Sequence, residues 1–380
     1  MLQSKLPKVG TTIFTVMSQL AVQYKAVNLG QGFPDFEGPL ALREALAKHV
    51  SEGKNQYAPM IGVASLREQI ALKTEALYGR KTNPDTEVTV VSGASEALFV
   101  AIAACVRPGD EVIVLDPCYD SYDPAIALAG GIAVHVPLEA PLFAPDWSRI
   151  KAKLSPRTRM IMVNSPHNPT GAMLSRQDLD ALAELTRGRD IYVLSDEVYE
   201  HITFDGLIHH SVLSHPELAE RSFAVSSFGK TYHITGWKIG YCVAPAQLSA
   251  EFRKIHQYLT FSTFTAAQFA IADYLALDPG YHNRLPAFYQ GKRDEFQALL
   301  KPSRFKLLQV QGAYFQLADY SAISDLPDQE FARWLVQEKG VAAIPVSAFY
   351  ETPSSDRLVR FCFAKNTDTL TAGVERLCAL

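Results

Sequence analysis

The chain lacks any apolar run long enough to cross a bilayer. Its longest, ALFVAIAACV at 97–106, is half of the roughly 20 residues that a spanning helix needs, so no membrane-embedded part is expected. Charge of one sign is scarce too. With 36 Lys and Arg against 40 Asp and Glu, the formal net charge is −4, and no basic run offers a footprint for nucleic acid or anionic lipid. Five cysteines, Cys105, Cys118, Cys242, Cys362 and Cys378, include no C-x-x-C pair, which argues for reduced thiols and against a disulfide framework or a zinc site. The opening stretch MLQSKLPKVGTTIF has neither the apolar core nor the small-residue cleavage site of a secretory signal, so a cytoplasmic location is expected. His201, His209 and His210 form no i, i+4 pair. They read as solvated or hydrogen-bonded loop residues, and no metal is expected.

What remains is an ordinary globular composition: 380 residues, 48% hydrophobic and 20% charged, enough for one large domain or two that share a cleft. From about residue 85 one rhythm repeats, a short β-branched run, a polar loop, then a segment of helical period. The runs are VTVV (88–91), VIVL (112–115), MIMV (160–163), IYVL (191–194), FAVS (223–226) and IGYCVA (239–244). Such continuous apolarity predicts strands buried on both faces, hence an α/β domain with a mostly parallel sheet covered by helices. Beyond about residue 270 the pattern shifts to longer helices and the strands FKLLQV, AYFQLADY and RLVRFCFA. It closes with a helix in NTDTLTAGVERLCAL, capped by Thr367 or Asp368. The expected division is an arm at 1–35 with little regular structure, a large domain at 36–270 and a smaller α/β domain at 271–380.

In open α/β sheets ligands bind beyond the carboxyl ends of the strands, so the residues following each run belong together. Gly93, Ala94 and Ser95 open a helix whose free N–H groups suit a phosphate. Tyr119 offers a flat ring, Asn168 an amide, Asp196 a carboxylate, Tyr199 a phenol and Lys230 an amine. This set matches pyridoxal 5'-phosphate: Lys230 for a Schiff base, Asp196 for the ring nitrogen, Asn168 and Tyr199 for the ring hydroxyl. Alone, Lys230 reads as a surface lysine, Asp196 as a helix cap and Tyr119 as a core aromatic; their joint placement decides against that. SSFGKT is a near miss to a P-loop, but Ala224 stands at the first glycine position, inside a strand.

The motifs NLGQGFPDF, NQYAP, SGASEAL, DPCYDSY, SPHNPTG, SDEVYEH, SSFGKTYHITGWKIGY and RFCFAK, in this order, resemble the class I, fold-type I aminotransferases over the whole chain. The likeness is nearest to the kynurenine and bacterial methionine aminotransferases. The resemblance implies that Lys230 is the Schiff-base lysine and shuttles the substrate Cα proton. Ser227 and Lys238 then hold the phosphate with Gly93–Ser95, and Tyr119 stacks on the ring. Arg360 forks onto the substrate α-carboxylate, helped by Asn168 and the Gly32 N–H. Tyr57 reaches the phosphate of the other subunit, which implies a homodimer with shared sites. Many relatives have arginine where Lys238 stands; a lysine there is a point charge without the planar fork, and the kynurenine branch shares it.

The activity so implied is a ping-pong transfer of an amino group from an amino acid to a 2-oxo acid. Phe14, the aromatic aligned from the arm, with Phe349 and Tyr350 suggests an apolar pocket that suits methionine or aromatic donors. Two other readings use the same sequence. A β-lyase for sulfur amino acids would employ Lys230 to release ammonia and pyruvate, and a regulator-type domain would carry a DNA-binding extension that is not visible here.

Overall fold

A computed structural model describes residues 3–352 and 354–380. These residues form three sheets. A two-stranded parallel pair joins β1 (Val27–Asn28) to β11 (Val341–Ala342). The large sheet contains β2 (Val88–Val91), β3 (Glu111–Asp116), β4 (Ile132–Pro137), β5 (Thr158–Asn164), β6 (Tyr192–Asp196), β7 (Ser222–Ser227) and β8 (Gly240–Val243), in the order β2-β8-β7-β6-β5-β3-β4. The third sheet is antiparallel, β12-β13-β10-β9, from β9 (Lys306–Leu307), β10 (Phe315–Asp319), β12 (Ile344–Pro345) and β13 (Leu358–Cys362).

All six expected runs lie in the large sheet, and β2, β3, β7 and β8 are buried along their whole length because helices cover both faces. β4 is the strand not foreseen. It sits at the sheet edge with half-exposed residues, so its apolar signal is diluted. β8 runs antiparallel to both its neighbours, pairing Gly240 with Val91 on one side and with Ser227 on the other. That reversal brings the residues just before β8 to the edge where β2 and β7 end. Gly240 must be glycine there: a Cβ would stand 2.7 Å from the Ser226 carbonyl oxygen.

The N-terminal segment is more regular than its composition suggests. Helix α1 (Ile13–Gln23) is capped by the Thr12 side chain, which accepts from the Thr15 N–H. Its apolar residues Ile13, Phe14, Met17, Leu20 and Ala21 pack on Ala332, Val336, Ile344 and Phe349. The Gly and Pro around 30–39 concealed this stripe. Past it the backbone joins the C-terminal strands, with Leu29 N–H donating to Ala342 and Leu29 carbonyl accepting from Cys362. The closing helix Thr367–Cys378 begins one residue earlier than the capping candidates imply, with Asn366 at the cap. The expected boundary at 270/271 falls inside the helix Thr265–Leu277, whose Ala267, Ile271 and Leu275 belong to the core under the large sheet. We propose that the division lies after that helix, near residue 280.

One buried polar cluster anchors the loop that carries the site. Glu200, after β6, accepts from Lys73 Nζ at 2.7 Å, from Tyr241 Oη at 3.1 Å, and from the Ser226 and Tyr78 hydroxyls. Lys73 and Tyr78 come from helix α3 (Ala64–Tyr78), the other two donors from β7 and β8. Burial opposes the Glu200 charge most strongly, but the Lys73 charge and the hydrogen bonds from Lys73 and Ser226 are among the contributions that together outweigh it and hold the carboxyl well below the usual range. Removing the cation strands a buried anion. Lys73→Met is expected to cost about 3–5 kcal/mol in denaturant titration; a cost below about 1 kcal/mol would show that the cluster is dispensable.

Candidate active site

Where the carboxyl ends of β2, β5, β6 and β7 meet the C-terminal sheet, a cleft of about 430 Å³ opens. Its lining holds the expected site residues except Tyr57, Phe349 and Tyr350: Phe14, Gly32, Gly93, Ala94, Ser95, Tyr119, Asn168, Asp196, Tyr199, Ser227, Lys230, Lys238 and Arg360. Tyr57 is 82% exposed and packs edge-on against Phe261, with ring centroids 5.3 Å apart, outside the cleft of its own chain. Phe349 is buried one layer behind the wall, 5.7 Å from the Phe14 ring, and neither it nor Tyr350 lines the cleft.

Lys230 sits in the one-turn helix Phe228–Thr231 that follows β7. Its Nζ donates to the Gly32 carbonyl at 3.1 Å and to Tyr314 Oη at 2.9 Å. Burial, with help from the Arg360 and Lys238 charges, pushes its ammonium down from 10.5 to about 8, so a neutral amine is within reach near neutral pH. Asp196 ends β6, level with Asn164 on β5. Its Oδ2 accepts from Tyr122 Oη at 2.8 Å. Burial raises its carboxyl from 3.8 to about 6, while the Tyr122 bond and Lys230 pull the other way. A buried anion of this kind calls for a cationic partner.

At the other end of the cleft, Gly93 holds φ at 77° at the start of helix α4 (Ala94–Cys105). A Cβ there would lie 3.2 Å from Lys238 Cε and Nζ. Glycine thus keeps the space between the helix N-terminus and the ammonium free of side chain, a cradle for an anion. Lys238 itself takes φ 56°, which turns it back toward Gly93 before β8 starts.

Arg360, on β13, is 1% exposed and forms no ion pair among the described residues. Nη1 donates to Asn168 Oδ1 at 2.7 Å and Nη2 to the Gly30 carbonyl at 2.9 Å, while Nε has no partner. The guanidinium carbon lies 4.0 Å from the Phe315 ring centroid, 5.2 Å from Phe349 and 5.4 Å from Phe14. Burial lowers it from 12.5 to about 10. A strand arginine is ordinarily paired with a nearby acid; among the described residues Arg360 has none within ion-pair distance. Two bonds donated by backbone N–H groups brace the walls: Cys118 N–H to the Phe349 carbonyl at 2.7 Å and Glu351 N–H to the Asp116 side-chain Oδ2 at 3.1 Å. They tie the Tyr119 loop to the segment behind Phe14.

Sequence reading missed Tyr122, Asn164, Tyr314 and Phe315. Tyr122 had a signal, a second aromatic three residues after Tyr119; Asn164 and Phe315 lie on strands and Tyr314 directly before one, where a core role is the ordinary reading. The histidine expectation needs correcting in part. His201 and His209 are buried rather than solvated, and His209 Nε2 lies 3.0 Å from Glu197. Asp116, Cys118 and His135 bring donor atoms within 4.8 Å of one another, yet Asp116 and His135 already engage each other at 2.8 Å.

A desolvated amine, an anion cradle and a buried guanidinium without an ion-pair partner among the described residues are thus gathered at one edge of a doubly covered sheet. The chain belongs to the class I and II aminotransferases, whose family model matches residues 24–377. It is similar to the methionine aminotransferase of Escherichia coli, 57% identical over 375 residues covering 99% of this chain and 97% of that one. It is also similar to mouse kynurenine–oxoglutarate transaminase 3, 34% identical over 96% of this chain and 87% of the relative. A solved Escherichia coli structure, in which a methionine aminotransferase function was identified, superposes with a TM-score of 0.97 at 56% identity over all of both chains. The protein is a transaminase, acting on an amino acid and a 2-oxo acid, in a family that depends on pyridoxal phosphate.

In the cofactor-free protein, labelling of Lys230 by trinitrobenzenesulfonate is expected to climb with pH around a midpoint near 8, read by peptide mapping. A midpoint near 10.5, the ordinary lysine value, would contradict the desolvation just described.

Proposed function

We propose that this transaminase takes the amino group of methionine, with aromatic amino acids and kynurenine as further donors, and passes it to a 2-oxo acid using pyridoxal 5'-phosphate. The residues present suit that cofactor: the Gly93–Ser95 turn, Ser227 and Lys238 for its phosphate, Tyr119 for its ring face, Asp196 for its ring nitrogen, Asn168 and Tyr199 for its hydroxyl, and Lys230 for its aldehyde carbon. When bound, the cofactor draws electron density away from the substrate Cα. Everything else falls to the protein. Arg360 grips the α-carboxylate by its planar fork, with Asn168 and the Gly32 N–H beside it, and this fixes the Cα–H bond relative to Lys230. The neutral Nζ of Lys230 takes the Cα proton and later returns it. Tyr314 and the Gly32 carbonyl aim that nitrogen.

The observation that carries the substrate reading is what the cleft has left over. Its cations are Lys230, Lys238 and Arg360, and each has a task, so no positive charge remains for a substrate side chain. Phe14, Leu98, Val198 and Phe315 supply apolar wall. Likeness to the methionine aminotransferase supports the same donor. A homodimer is part of the proposal, since Tyr57 lies outside its own cleft and is exposed to reach a neighbour. Five unpaired cysteines support a reducing, cytoplasmic setting, and no helix among the described residues is long and apolar enough to cross a membrane.

The test is a visible spectrum of the purified protein during titration with single amino acids. Methionine is expected to bleach the cofactor band at lower concentration than aspartate, and the reverse order would overturn the donor assignment. Lys230→Ala is expected to lower the turnover rate by on the order of 10³-fold or more. Arg360→Lys keeps the charge but loses the fork, so kcat/KM is expected to fall about 10- to 100-fold, mostly through KM. An Arg360→Lys enzyme with wild-type KM would remove Arg360 from carboxylate binding.

A further inference from the structure

Two carboxylates line the cleft, and only one has a task in the reading above. Asp196 is buried against Tyr122. Asp120, next to the ring-stacking Tyr119, lines the same cleft and, among the described residues, enters no ion pair and accepts no side-chain hydrogen bond. It is half-buried and lines the cleft together with Arg360, the group assigned above to the substrate carboxylate. Partial burial raises its carboxyl and Arg360 draws it back. An unpaired carboxylate in this position is a cost to the fold unless a ligand makes use of it.

We propose that Asp120 is a specificity-determining residue, a fixed negative charge that disfavours amino acids and 2-oxo acids bearing a second carboxylate and admits uncharged or hydrogen-bond-donating side chains. The proposal rests on the transaminase reading and goes further by naming the group that discriminates. In a site shielded from bulk water, two like charges a few ångströms apart repel far more than at the surface. A substrate held by Arg360 cannot retreat from that repulsion. The absence of a spare cation leaves a second carboxylate unassisted; Asp120 makes it actively unwelcome, which is discrimination against the wrong ligand as well as for the right one. A thioether is unaffected by the charge, and an indole or aniline N–H can donate to it.

The experiment uses the cofactor-loaded enzyme and two unreactive five-carbon acids, valerate and glutarate, which differ in the distal carboxylate. Their dissociation constants are read from the cofactor's absorbance at pH 8. The wild type is expected to bind valerate at least tenfold more tightly than glutarate. Asp120→Asn is expected to narrow that gap at least tenfold, and Asp120→Glu to preserve it. In turnover, Asp120→Asn should raise the glutamate-to-methionine ratio of kcat/KM at least tenfold, chiefly by lowering KM for glutamate. Equal wild-type affinities, or a gap and ratio unchanged in Asp120→Asn, overturn the proposal; so does a parallel loss for both acids, which a merely structural role would give. Because the acids are not turned over, failure of methionine as a donor would show separately, in the titration with amino acids.

Discussion

A guanidinium buried without a counter-anion is the constraint around which this molecule is arranged. Among the described residues Arg360 is held by neutral acceptors alone, the Asn168 amide oxygen and the Gly30 carbonyl, with aromatic faces from Phe315, Phe349 and Phe14 around it. Neutral acceptors and ring faces lower the cost of desolvation without cancelling the charge. The charge therefore stays available to an incoming carboxylate. Supplying those partners requires three remote parts of the chain to converge. The N-terminal segment brings Gly30 and Phe14, the loop after β5 brings Asn168, and the C-terminal strands bring Arg360 and Phe315.

The same convergence conditions Lys230. Its two hydrogen-bond partners come from the N-terminal segment, through the Gly32 carbonyl, and from the approach to β10, through Tyr314. Tyr314 also donates to the Gly32 carbonyl at 2.7 Å, closing a triangle. The amine is thus oriented by parts that do not belong to the sheet it grows from. Behind the cleft, Glu200 and its four donors brace the turn that follows Asp196. Polar satisfaction away from the cleft permits polar deficits within it, since a site can keep an unpaired charge only where its supports are rigid.

The site was legible where chemistry sits directly after a strand. Gly93, Asn168, Asp196 and Lys230 each follow an apolar run, and the topology of open α/β sheets sends all such ends to one edge. Lys238 was legible only through family likeness, because its arrival depends on β8 running backwards, and nothing in IGYCVA distinguishes an antiparallel strand from a parallel one. Tyr122 and Tyr314 were hidden for a different reason. A tyrosine among buried residues looks like core until the partner of its hydroxyl is known. Helix α1 was overlooked because the composition of its neighbours, rich in Gly and Pro, outweighed an eleven-residue stripe.

The sequence by itself determined the α/β class, every strand of the central sheet but the edge strand β4, the order of the motifs and the residue types that meet at the sheet edge. Local pattern suffices for these, since burial on two faces and the turn that follows a strand are written within a few neighbouring positions. Tertiary structure alone decided which charges are partnered. Arg360 is free while Glu200 is saturated, Asp196 leans on Tyr122 while Asp120 faces the cleft, and Tyr57 lies outside it. Partnership depends on residues as much as 330 positions apart, as Gly30 and Arg360 are, and on how much water their packing excludes. No local pattern records either quantity.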